Sequence, residues 1–433
     1  MRFSQSINFD DLGIFKQQLL HWASAFEVAV CLDSNLYAAD KYSQYEYLVA
    51  VANCATPFDE QPNIFTNLQQ LHQQTNDWLF GMISYDAKNQ TENNLQSTNF
   101  DGVQMPLAYF FRPDVVVAIT KNQQATIHWL DEKLTAQHIE QQITQTPIVT
   151  VPAPNIVLQN RLNKQQYINK VNQIQTHIRR GNIYEANFCQ EFYAQNAQIN
   201  PTSVFEQLNK QTQAPFAAFV KYHKQFVLCA SPERFLQKIN NQLVSQPIKG
   251  TIKRHKDTQK DEALKQQLYH NAKERAENVM IVDLVRNDLS KVAKRGTVQV
   301  NELFGVYTFK TVHHLISTIS ASLRPDAHFT DALRATFPMG SMTGAPKLRA
   351  MQMIEQLEVT RRGMYSGAIG YISPNGNFDF NVVIRTLLYN QQNQYLSLQT
   401  GSAITHYATP QQEYDECLLK AQTIKKILLD NND

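Results

Sequence analysis

The residues best equipped for chemistry are two pairs of glutamates, one lysine and one glycine-rich loop. Glu274 and Glu277 stand three apart in a helical pattern, and Glu413 and Glu416 repeat that spacing near the end of the chain. Side chains three apart share a helix face, so each pair sets two negative charges together at a cost of about 0.2–0.5 kcal/mol. A divalent cation would remove that cost. Lys420 falls one turn beyond Glu416 on the same face. A small set of oxygen ligands suits Mg2+, which keeps waters or takes substrate oxygens for its remaining positions. Two solvated helix faces give the same pattern, so the pairs alone leave both readings open.

The lysine lies in Ser245-Gln-Pro-Ile-Lys-Gly-Thr251. Pro247 fixes its own backbone and Gly250 permits positive φ or close approach, so a stiff turn presenting Lys249 is expected. A lysine nucleophile must be neutral, which burial or neighbouring cations bring about. A surface-loop lysine fits the same residues. The run from Pro338 to Lys347 offers small residues, free N–H groups and a lysine. It lacks the order of a Walker A loop, which disfavours nucleotide binding. A structural turn into the helix after Pro346 fits equally.

The elements that must carry these groups read as α+β. Runs rich in β-branched and aromatic residues predict strands at 26–32, 47–51, 78–85, 115–119, 225–230, 363–373, 378–388 and 395–399. Helices are expected over 15–25, 167–180 and 267–294, with Gly181 and Gly296 as stops. A last helix opens at Pro410, with Thr409 and Gln412 spaced as a capping box. The segment 147–154, PIVTVPAP, cannot be helical inside and reads as a linker. It divides a smaller N-terminal region, 1–150, from a catalytic region, 155–433.

Bulk composition narrows the class. The 433 residues are 43% hydrophobic and 18% charged, enough for a large core. A net charge of +2 supplies no global field for nucleic acid or anionic lipid, so a small anionic substrate needs a local basic site. Five scattered cysteines without a C-x-x-C pair argue against a disulfide framework or zinc site and fit a reducing cytoplasm. No run approaches a membrane span, and the first residues lack a signal-like apolar stretch. A soluble, cytoplasmic chain is expected, with neither membrane nor nucleic acid as partner.

The motifs gain meaning together. They are SPERF at 231–235, PIKGT at 247–251, KERAENVMIVDLVRNDL at 273–289, VHHLIST at 312–318 and GSMTGAPK at 340–347. RRGMYSGAIGY at 361–371, VIRTLL at 383–388, TGSAI at 400–404 and EYDECLLKA at 413–421 complete the series. In order and spacing over roughly 160–430 they resemble the chorismate-utilising, anthranilate synthase component I-like family. The resemblance implies that family's large fold of sheets flanked by helices. It also implies roles. Glu277 and Glu416 look like inner Mg2+ carboxylates, with Glu274 and Glu413 behind them. The metal would hold the ring carboxylate of chorismate, near Gly250 and Thr251. Tyr365, Arg385 and the N–H of Gly401 look like a clamp on the enolpyruvyl carboxylate, where a planar guanidinium fits bidentately. Ser341 and Lys420 match further substrate-lining positions. His314 matches an active-site histidine, and His313 a structural neighbour.

Position 249 separates branches of the family. Lysine resembles the aminodeoxychorismate synthases, PIKGT, and alanine the anthranilate synthases, PIAGT. The resemblance implies that Lys249 adds to ring C2 as the 4-hydroxyl leaves, that Glu233 protonates that hydroxyl, and that ammonia then attacks C4 and expels the lysine from C2. The product expected is 4-amino-4-deoxychorismate, a precursor of p-aminobenzoate and folate. An anthranilate synthase component I and a non-catalytic chorismate-binding subunit are the alternatives. No cysteine sits on a Gly-x-Cys-x-Gly elbow, so ammonia is expected from solution or a separate glutaminase subunit. Isochorismate synthases resemble the chain less, because their water-activating lysine is matched here by Glu185, where related aminating enzymes carry glutamine. Met339, Ala403, Tyr407 and Ala408 are further departures. No L-L-E-S tryptophan-binding segment is recognised, which argues against feedback inhibition by tryptophan.

Overall fold

The structure is a computed structural model that describes residues 2–54, 58–92 and 95–429. Two large antiparallel sheets stack face to face among the described residues, with helices on both outer surfaces. The first runs in the order Phe3–Ile7, Ala125–Trp129, Val115–Thr120, Tyr45–Ala52, Val28–Asp33, Phe216–Tyr222, Gln225–Ser231, Thr386–Asn390, Tyr395–Ile404, Glu185–Ala194 and Gly344–Ala345. The second runs Ile248–Lys253, Val312–Ser322, Gln242–Gln246, Arg234–Ile239, Phe378–Asn381, Ala368–Ile372, Leu79–Ile83 and Ala108–Phe111. The α+β reading holds.

Period-two alternation explains the layering. In Val28–Asp33, Val28 and Val30 face the core between the sheets, whereas Ala29 and Cys31 face the outer helices. The outer helices Leu12–Ser24, Ala136–Thr144 and Pro201–Thr212 cover the first sheet, and Ile64–Thr75, Ala272–Ser290 and Phe329–Thr336 cover the second. Strands from before residue 150 enter both sheets. The non-helical segment at 147–154 therefore joins parts of the same two layers rather than two separate cores.

Three departures from the sequence reading shape the site. The helical pattern 267–294 is two helices, Thr258–His270 and Ala272–Ser290, broken at Asn271. Asn271 stays out of the helical region and its side chain accepts from the Glu274 N–H, so it caps the second helix. The run 378–388 is two strands in different sheets, Phe378–Asn381 and Thr386–Asn390, joined by a bend with Arg385 at φ 53. The run 363–373 keeps strand pairing only over Ala368–Ile372, because Gly363 and Ser366 take positive φ. Thr409 does cap Pro410–Ile427 in sequence position, but its side chain makes no capping bond.

Candidate active site

The site forms where chain segments cross from one sheet to the other. Gln225–Ser231 ends the first sheet's strand, Pro232 makes the crossing, and Arg234–Ile239 begins in the second sheet. Glu233 sits at that crossing, 4% exposed. Its Oε1 accepts from Ser341 Oγ at 2.7 Å. Burial pushes the Glu233 carboxyl up to about 7, against the smaller pull of Ser341 and Lys249. Near neutral pH it therefore holds a proton it can give. Arg385 sits at the return crossing.

Lys249 lies on a strand rather than a turn. Ile248–Lys253 pairs with Val312–Ser322 through a register shift between Ile248 and Thr251, and Gly250 takes φ +98. A Cβ at Gly250 would sit 3.2 Å from Glu274 Oε2, so the bulge brings backbone against a carboxylate. The Lys249 side chain points inward, 9% exposed, and Nζ donates to Glu185 Oε1 at 2.7 Å. Burial alone would lower the Lys249 ammonium, but the Glu185, Glu277 and Glu233 carboxylates outweigh it and hold it up. The neutral resting amine expected from sequence is thus replaced by an ammonium, because the neighbours are anions rather than cations.

Two helix N-termini bring in the remaining carboxylates. Glu274 lies in the first turn of Ala272–Ser290 and Glu413 in the first turn of Pro410–Ile427, where the helix dipole favours negative charge. Lys273 reaches both Glu277 and Glu413 at 3.9 Å, so the two helix starts adjoin. Burial raises Glu274 and Glu413, and it takes Glu277 to about 7. Glu277 Oε1 is buried without a hydrogen-bond partner. Ser402 donates to Glu413, and Lys420 pairs with Glu416 at 2.6 Å. Among the described residues no three His, Cys, Asp or Glu side chains form a ready metal cage. Mg2+ needs only one or two carboxylates beside waters and substrate oxygens. An orphaned carboxylate oxygen among raised glutamates fits such an ion.

The basic side of the site faces these glutamates. Lys420 Nζ donates to Gly401 O at 2.7 Å, and Arg385 donates to Lys420 O at 3.3 Å. Arg385 has no carboxylate within ion-pair distance among the described residues. Its guanidinium is therefore open to an external anion. Tyr365 Oη lies 3.2 Å from where a Cβ at Gly401 would be, and Asn187 and Cys189 crowd that point further, so only glycine fits. His314 accepts or donates with Thr251 at 2.8 Å, and burial with the Arg385 and Lys420 charges takes it down to about 3. It is a neutral ring with no imidazolium proton to give. His313 is buried elsewhere, between Thr308 and Asp261.

Lys249, Glu233, His314, Gly250, Thr251, Ser341, Tyr365, Arg385, Gly401, Lys420 and the glutamates at 274, 277, 413 and 416 thus form one contiguous set, linked by the contacts above. Sequence reasoning missed Lys273, which stands in for a cation between the two helices; its position four before Glu277 was the available signal. It also gave no role to Glu185. Among the departures, Tyr407 is exposed, while Met339 and Ala408 are buried.

The profile of the chorismate binding enzyme family matches residues 33–426. The chain belongs to that family. Within it, the chain is 43% identical over 266 residues to aminodeoxychorismate synthase component 1 of Salmonella typhimurium, a match covering 61% of this chain and 58% of that one. The chain thus spans less than two thirds of that relative's length. It is 33% identical to an anthranilate synthase component I-like protein of a Synechocystis species, over 88% of this chain and 78% of that one. Its fold matches the crystal structure of anthranilate synthase component I from Streptococcus pneumoniae with a TM-score of 0.70, at 28% identity and 80% coverage of both chains.

Proposed function

We propose that the chain converts chorismate and ammonia to 4-amino-4-deoxychorismate, on the route to p-aminobenzoate and folate. The observation that carries this reading is Lys249, buried and aimed at the carboxylate cluster beside Glu233, whose carboxyl burial pushes up to about 7. The name of the Salmonella relative supports the same branch.

In this reading Arg385, Tyr365 and the Gly401 N–H hold the enolpyruvyl carboxylate, with Lys420 fixing the Gly401 carbonyl behind it. Glu277 and Glu416, backed by Glu274 and Glu413, would hold Mg2+ near the ring carboxylate. When bound, the ion supplies charge withdrawal from the ring through that carboxylate. Lys249 attacks C2, and Glu233 gives its proton to the departing 4-hydroxyl, with Ser341 orienting the acid. Ammonia then attacks C4 and lysine leaves. His314, neutral and tied to Thr251, walls the site. The ammonia source is a separate glutaminase subunit or solution. Cysteines that are all free, and helices too short or polar to cross a membrane among the described residues, support a cytoplasmic setting.

The test is product analysis after incubating the chain with chorismate, Mg2+ and ammonium salt, with the lyase supplied separately. Para-amination is expected. Ortho-amination would reassign the chain to anthranilate formation, and binding without turnover to a non-catalytic role.

A further inference from the structure

Glu185 and Lys249 come from different sheets and meet in a buried ion pair. Glu185 is 1% exposed, and its Oε1 lies 2.7 Å from Lys249 Nζ. Its other oxygen, Oε2, is buried with no hydrogen-bond partner. Its backbone is pinned. The two-residue strand Gly344–Ala345 pairs with Glu185 and Ala186, and a Cβ at Gly344 would fall 2.1 Å from Glu185 O. The carboxylate thus rises from rigid strand, not from loop. Glu185 is the one acid within ion-pair distance of Lys249 among the described residues. Glu277 and Glu233, with Glu274 and Glu416, face the lysine from further away.

We propose that Glu185 is the proton acceptor that turns the Lys249 ammonium into a nucleophilic amine, keeping that proton inside the site for the return step. This rests on the covalent reading above. An ammonium has no lone pair, so the proton must leave before C2 is attacked. Release to water would strand the Glu185 carboxylate in a buried place without its counter-charge, which is costly. Transfer across the 2.7 Å contact instead leaves two neutral groups, which burial favours.

The protons and bonds balance through the cycle. Lys249 gives a proton to Glu185. The amine forms the N–C2 bond, the C1–C2 double bond shifts to C1–C6, the C5–C6 double bond shifts to C4–C5, and the C4–O bond breaks. Glu233 protonates the leaving hydroxyl, and water departs. Ammonia then bonds to C4, both ring double bonds shift back, and the C2–N bond breaks with its pair returning to lysine. The new C4 ammonium returns one proton to Glu233. Glu185 returns its proton to Lys249. Every protein group ends as it began, and the sum is chorismate plus ammonia giving aminodeoxychorismate plus water.

The test compares the full chain with its Glu185→Gln and Glu185→Asp variants at saturating Mg2+. The readout is the rate of the Lys249–chorismate adduct without ammonia, by quenched intact mass, from pH 6 to 8. Glu233, Glu274 and Glu277 titrate in all three proteins, so only the difference between profiles is read. In the parent the pair keeps its proton count, and Glu185 adds no slope. In Glu185→Gln the proton must go to solvent, and the rate is expected to rise relative to the parent by about tenfold per pH unit until Lys249 has titrated. Glu185→Asp retains a carboxylate and is expected to keep the parent's profile at reduced rate. A Glu185→Gln profile parallel to the parent's overturns the proton-acceptor role alone. No adduct in the parent, with para-amination intact in Lys249→Ala, overturns the covalent reading and this inference with it.

Discussion

Two buried ionic clusters stand a few residues apart along the chain, on different strands, and they are built on opposite principles. Around Arg234 the charges are closed. The guanidinium is 0% exposed, and it donates to both oxygens of Asp40 at 3.0 and 2.8 Å and both oxygens of Asp379 at 2.9 and 3.0 Å. Gln246 accepts from it as well. Burial pulls this arginine down, but two carboxylates overwhelm it and hold it well up. Around Lys249 the charges are open. Carboxylates outnumber cations, Glu185 Oε2 and Glu277 Oε1 accept no hydrogen bond, and Glu233 and Glu277 are pushed up to about 7. A closed cluster holds the chain together; an open one is completed by something from outside. The two are joined, since Arg234 follows Glu233 directly and Gln246 lies three before Lys249.

The sharpest way to break the comparison is to exchange the expected costs. Lys249→Ala, made together with Glu185→Gln so that no lone buried charge is left, removes the proposed nucleophile and is expected to lower para-amination by on the order of a thousandfold while leaving stability close to the parent's. Steady-state product assay and urea unfolding check both halves. A large loss of stability would mean that Lys249 is structural. Asp40→Ala should do the reverse. It leaves a buried arginine with half its counter-charge, at a cost of about 3–5 kcal/mol, read by urea unfolding. Stability within about 0.5 kcal/mol of the parent's, the surface-substitution range, would show that the Arg234 cluster is not closed.

Smaller effects test the open cluster's need for a cation. Glu277→Gln is expected to lower Mg2+-dependent turnover by roughly a hundredfold, with higher Mg2+ recovering part of it, and to leave the fold intact. Unchanged turnover at limiting Mg2+ counts against the carboxylate set. Removing Mg2+ from the parent with a chelator should abolish turnover reversibly.

Much of this contrast was open to sequence reasoning, and the missing part has physical causes. The strands Val28–Asp33, Tyr45–Ala52 and Val115–Thr120 announce themselves by β-branched runs, and Gly181 stops its helix at φ 74 as expected. The break at Asn271 is hidden because asparagine inside a long helical pattern is a weak signal until its side chain is seen to cap. The crossing at Arg385 is hidden because non-glycine residues adopt positive φ only when tertiary structure enforces it. The residues of the site are legible from motif order. Their charge states are not, since Glu185 and Lys249 are 64 apart and meet only when both sheets are in place.

The least costly test concerns pH alone. Glu233 and Glu277 both move from an ordinary 4.5 to about 7 in the folded chain. Each therefore binds its proton more tightly folded than unfolded. That contribution is complete below about pH 4.5 and is lost as pH rises through about 7, with an upper bound of about 3 kcal/mol for each group. The Arg234 guanidinium adds no slope in this window, because it stays charged throughout. His314, taken down to about 3, opposes this as pH falls below its ordinary 6.5, but by less than the two carboxyls together, so the metal-free chain is expected to melt at lower temperature at pH 8 than at pH 5.5. In the proposed reading Mg2+ would bind the ionised glutamates, so it should raise Tm more at pH 8 than at pH 5.5. Glu277→Gln, which cannot ionise, should flatten part of the pH slope and most of the Mg2+ response. Equal Tm values across this range in the metal-free parent would mean that the glutamates are relaxed by solvent, and the distinction between an open and a closed cluster would lose its electrostatic basis.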